Sequence, residues 1–143
     1  INGTIVFDGS VWPLGLLENP ITLEIKKGKI QKIEGGKEAK QFEKWLNSFK
    51  NPNMLKIVHI SYGCNPGAEL SGNILEDERV WGAIEWGLGN QAESFKGEVG
   101  PAKSHTDGIC LKPTVIGESY IIKDGEYVHP DLEVLANKLK RWK

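Results

Sequence analysis

Cysteine is scarce in this chain: two in 143 residues, Cys64 and Cys110, with no CxxC spacing. That excludes a disulfide-stapled secreted scaffold and a zinc ribbon, and the expected location is a reducing cytoplasm. No apolar run approaches the roughly 20 residues a membrane span requires. Charge of one sign is also missing. The formal net charge is −1, with lysine and glutamate dispersed, so neither a nucleic-acid stripe nor an acidic tail is present. Phosphate loop, dinucleotide fingerprint and nucleophile elbow are all absent. The first residue is Ile1 rather than methionine, and a strand-like pattern follows almost at once, as expected of a piece of a longer protein.

What remains is 39% hydrophobic and 26% charged, the composition of a single globular domain over residues 1–143. Thr4–Phe7 reads as a strand. Ile21–Ile25 and Ile30–Ile33, joined by Lys27-Gly28, read as a β-hairpin. Between Lys37 and Phe49 the apolar positions 39, 42, 45, 46 and 49 mark one helix face, ended by Asn51-Pro52. Strands are predicted over Leu55–Ile60, Ala83–Leu88, His105–Leu111, Thr114–Ile116 and Ser119–Ile122. Gly89–Lys103 reads as a glycine-rich loop over a site. Leu132, Leu135, Leu139 and Trp142 mark a closing helix. The predicted class is α+β, a mixed sheet or barrel-like domain with two main helices.

Only three histidines are present, and two fall where chemistry is expected. His105 and Asp107 sit at i and i+2 of a strand and so project from one face. His59 interrupts the apolar strand Lys56–Ile60, and Glu85 interrupts Ala83–Trp86. A buried carboxylate without a partner costs several kcal/mol, on the order of 3–5, so Glu85 must meet water or a cation. Together His59, Glu85, His105 and Asp107 supply two imidazoles and two carboxylates, a donor set for one divalent metal with an open position. In the acidic run Glu76-Asp77-Glu78, either Glu76 or Glu78 is a candidate general base. His129, before Pro130, reads as structural, and Trp86 as a wall of the site.

Four ordered segments, Gly63-Cys64-Asn65-Pro66, Gly82–Asn90, His105-Thr106-Asp107-Gly108 and Pro113-Thr114-Val115, resemble the C-terminal part of the aminopeptidase T family of metallopeptidases and of the related dihydroxypyridine dioxygenases. The resemblance implies that His105 and Asp107 are metal ligands. It also implies that a histidine and a glutamate of the family pattern are exchanged here, at Glu85 and His59. A further family glutamate lies upstream of the segment this chain begins with, which implies a missing N-terminal domain as partner and the C-terminal part of a two-domain protein.

Three functions follow as expectations. The first is an aminopeptidase-type hydrolase, with zinc or cobalt polarising a peptide carbonyl and activating water. The second is a mononuclear non-haem iron dioxygenase that cleaves a ring. The third is a domain with a relic site. The expected substrate is a small molecule or peptide, and a homodimer is an expected assembly.

Overall fold

A computed structural model describes residues 1–140; Trp142 of the predicted closing helix lies outside the described residues. The class is α+β, built from three sheets rather than one closed barrel. The first sheet has the order β1-β4-β5: β1 (Gly3–Phe7), β4 (Ile21–Lys26) and β5 (Lys29–Gly35). Lys27 and Gly28, at φ 51° and 71°, make the two-residue turn whose twist matches that of the flanking strands. Helix α1 (Lys37–Ser48) lies against this sheet and buries Ala39, Phe42 and Leu46. Phe42 meets Phe7 edge to face at 6.3 Å. Burial of each such large side chain contributes about 1.5–3 kcal/mol.

The second sheet has five strands in the order β3-β2-β8-β7-β6: β2 (Ser10–Val11), β3 (Gly15–Leu16), β6 (Ile57–Tyr62), β7 (Ile84–Gly89) and β8 (His105–Cys110). β6 starts two residues later than the sequence predicts. Asn51 accepts a hydrogen bond from the Asn53 amide and caps a 3₁₀ turn over Pro52–Leu55, which takes Leu55 out of the strand. One face of this sheet joins the core through Ile57, Leu88 and Val11. Trp86 packs on that core side, partly buried, and is therefore not a wall of the site. Gly108 is required there, because a Cβ would overlap the Phe7 ring from the first sheet.

A short helix, α2 (Ile74–Asp77), joins the second sheet through Asp77, which is fully buried. Its carboxylate accepts from the Ser10 hydroxyl at 2.5 Å and the Ser71 amide at 2.7 Å, so this acidic residue is structural. The third sheet, β11-β10-β9, comprises β9 (Val115–Ile116), β10 (Tyr120–Lys123) and β11 (Glu126–Tyr127). It leads to α3 (Pro130–Leu139), whose N-terminus is capped by His129. Tyr127 donates its hydroxyl to the Gly63 carbonyl at 3.0 Å and ties this unit to the second sheet. Among the described residues no helix is long and apolar enough to cross a membrane.

Candidate metal centre

Strand register brings the anomalous polar residues together. β6, β7 and β8 are adjacent and antiparallel. His59 pairs with Gly87, and Gly87 pairs with Asp107; in the next row Ser61 pairs with Glu85. Alternation then puts His59, Ser61, Glu85, His105 and Asp107 on one face, opposite the core. A bulge makes this possible. Ile57 pairs with Leu88 and His59 with Gly87, so the partner strand advances one residue while β6 advances two. Ile57 can therefore face the core while His59 faces the site, a reversal that strict alternation forbids.

Gly87 is the gap over which the His59 ring lies. A Cβ built there would sit 2.6 Å from His59 Nε2 and closer still to two other ring atoms. With that space free, His59 Nε2 reaches across β7 to 3.5 Å from Asp107 Oδ1. His59 and His105 stack with ring centroids 5.1 Å apart and planes inclined by 19°. Glu85 Oε1 accepts from His59 Nε2 at 2.6 Å, and its second oxygen accepts from the Ser61 hydroxyl. His105 donates Nδ1–H to the Asn90 carbonyl at 2.7 Å, which leaves Nε2 facing Asp107 Oδ1 at 2.8 Å.

The electrostatics follow from this crowding. Hydrogen bonding to Glu85 raises the His59 pKa above 6.5, and hydrogen bonding to Asp107 raises that of His105. Burial alone would lift Glu85, but hydrogen bonds from His59, Asp107 and Ser61 carry it down to about 2. Asp107 moves the other way, pushed up by burial and by its hydrogen bond to Glu85. The two carboxyl groups thus lie in hydrogen-bond contact, and their pKa values are driven apart, Glu85 down and Asp107 up.

Among the described residues two donor groups emerge, each with ligand atoms within 4.8 Å of one another: His59, His105 and Asp107; and Glu78, Glu85 and Asp107. Asp107 belongs to both. Of the two candidate bases, only Glu78 lines the cleft, an open space of ≈ 620 Å³ beside the cluster. Glu76 accepts from the Ser71 hydroxyl at 3.0 Å and the Glu69 amide at 3.3 Å and is not among the residues that line the cleft. Sequence reading missed Gly87, Ser61 and Phe95. Phe95 lines the cleft 5.8 Å from the His59 ring, and its only signal was an aromatic in a polar loop.

The fold and this cluster define an α+β domain that carries a histidine–carboxylate donor set on the open face of an antiparallel sheet. Residues 1–99 match the family of the 2,5-dihydroxypyridine 5,6-dioxygenase NicX, and the chain belongs to that family. Over 57 residues it is 40% identical to the 2,5-dihydroxypyridine 5,6-dioxygenase of Pseudomonas putida KT2440, a stretch that is 40% of this chain and 16% of that protein. The solved structure of the Pseudomonas putida KT2440 2,5-dihydroxypyridine dioxygenase is similar in fold, with a TM-score of 0.79 at 24% identity over 92% of this chain and 41% of that one. The likeness thus spans less than half of the relative's length. The family match, over residues 1–99, covers His59, Glu78 and Glu85 and ends before β8. The match falls on the dioxygenase branch of the resemblance, which the sequence placed second, and reverses that order.

Proposed function

We propose that this domain carries the iron site of a ring-cleaving dioxygenase that acts on dihydroxypyridines or close relatives, with His59, His105 and Asp107 as iron ligands. The convergence of these three donors in a chain of the dioxygenase family carries the reading. Two nitrogens and one carboxylate are the donor set of mononuclear non-haem iron enzymes, and three protein ligands leave positions for substrate and dioxygen. Charge also favours a cation: ligand oxygens of Glu78, Glu85 and Asp107 lie within 4.8 Å of one another, and the guanidinium of Arg79 is engaged by Glu78 at 2.5 Å. Bound ferrous iron would supply the open positions and one-electron chemistry that cleavage by dioxygen needs.

The chain's own residues do the positioning. Asn90 fixes the His105 tautomer through its carbonyl, and Glu85, held by Ser61, orients His59 over Gly87. Since the likeness covers 41% of the relative, a neighbouring domain or second subunit that completes the cleft is part of the proposal. The test is oxygen uptake by the full-length gene product, loaded anaerobically with Fe(II) and given 2,5-dihydroxypyridine. Uptake should match loss of the ring absorbance, and the zinc form should be inert. Iron-loaded protein that consumes no oxygen would overturn the reading, and cleavage of amino-acid anilides by the zinc or cobalt form would restore the aminopeptidase assignment.

Metal binding should also depend on pH in a definite direction. A ligating imidazole must be neutral, and both histidine pKa values lie above 6.5 before metal enters. Protons therefore compete from above that value, and affinity rises with pH until both rings are neutral. Below it, apparent affinity should fall by up to about two logarithmic units per pH unit. Titrations with Mn(II), a redox-stable probe, between about pH 5 and about pH 8 measure the slope. A flat profile would exclude the two histidines as ligands.

A further inference from the structure

Phe95 is an anomaly on the surface of this domain: a phenyl ring 60% exposed, at the edge of a cleft otherwise lined near the cluster by histidine and carboxylate. Its placement is built. The 3₁₀ turn Glu93–Phe95, closed by Lys96 at φ 50°, folds the loop back toward β6. Both ends of the loop are tied down. Gln91 donates to the Val58 carbonyl at 2.6 Å, Lys56 to the Val99 carbonyl at 2.9 Å, and Asn53 to the Pro101 carbonyl at 2.8 Å. Between these ties the Phe95 ring is held 5.8 Å from the His59 ring and inclined to it by 34°. His59 is itself within 19° of parallel to His105. Phe95 and the two stacked imidazoles therefore line one side of the cleft together.

We infer that Phe95 is a specificity-determining residue that stacks on the face of a planar aromatic substrate and discriminates against saturated rings carrying the same hydroxyl groups. The inference rests on the dioxygenase reading only in taking this cleft as the substrate site. An aromatic face recognises another through its quadrupole and its flat contact area, both of which a puckered ring lacks. An aliphatic side chain of similar volume would cover the substrate without selecting for planarity. Burial of the exposed ring against substrate also supplies apolar contact that the free protein leaves unmade.

The test uses the full-length protein loaded with Fe(II) without oxygen, with hydroquinone as planar probe and cyclohexane-1,4-diol as its saturated counterpart, each titrated calorimetrically. Phe95→Ala and Phe95→Leu should bind hydroquinone about tenfold more weakly, whereas Phe95→Tyr should bind it within about twofold of the parent. The saturated diol should bind all four proteins alike, and bound iron should be unchanged. Undiminished hydroquinone binding by Phe95→Ala, with iron retained, would overturn the inference and leave the dioxygenase reading standing. Full binding by Phe95→Leu would reduce the residue to an apolar cover and overturn the claim of aromatic selection. A parent protein that holds iron but binds neither probe would overturn the inference together with the placement of the substrate in this cleft.

Discussion

Asp107→Ala is expected to lower Fe(II) affinity by more than about 100-fold, because loss of supporting partners alone typically costs 10–100-fold and here one of the three proposed ligands is removed. Asp107 is also the one residue common to both donor groups, so no neighbouring arrangement can replace it without new geometry. The fold should survive. Asp107 projects from the face opposite the core, and the backbone of β8 stays paired on both sides, to β7 and to β2. Anaerobic calorimetric titration with Fe(II), alongside circular dichroism, separates the two outcomes. A variant that keeps its secondary structure and binds iron like the parent would remove Asp107 from the site.

The second large effect belongs to a residue with no side chain. Gly87→Ala places a methyl group inside the space of the His59 ring, so either the ring leaves or the sheet shifts. Gly87 is not among the glycines at positive φ, so the clash acts through His59 and not through backbone strain. The variant should lose about 1–3 kcal/mol of stability, as overpacked sites do. Its iron affinity should fall by at least about tenfold, since displacing the ring of a proposed ligand is no milder than losing its supporting partner. Gly117→Ala is the matched control, because a Cβ there meets only Ile121 at an ordinary 3.5 Å. Thermal unfolding and Fe(II) titration of both variants test this. Equal affinities in Gly87→Ala and the parent would mean that His59 is not held where the geometry puts it.

The local elements were readable because their signals are local. The hairpin was written in the alternation of Ile21, Leu23 and Ile25 around Lys27-Gly28, and α1 in the spacing of Ala39, Phe42 and Leu46. Short strands such as β2, β3 and β11 were not readable, since two residues carry no period and exist only because a neighbouring strand pairs with them. The burial of Asp77 was unreadable for a related reason. Its burial depends on Ser10, 67 residues away, and no pattern within the acidic run records that contact.

The sequence by itself determined which donors were available: two imidazoles and two carboxylates placed in strands where apolar residues belong, with Asp107 two residues from His105 on one face. It also carried the family relation, with the dioxygenase branch placed second to the hydrolase. Only the tertiary structure decided that these donors meet. The order β8-β7-β6 sets three distant segments side by side, the bulge before His59 turns it away from the core, and Gly87 leaves the space its ring crosses. The same structure admitted Glu78 to the cleft and excluded Glu76. The physical reason is that strand pairing and side-chain direction depend on backbone hydrogen bonds between segments far apart in the chain. A one-residue change in register reverses every face, while the residue types stay the same.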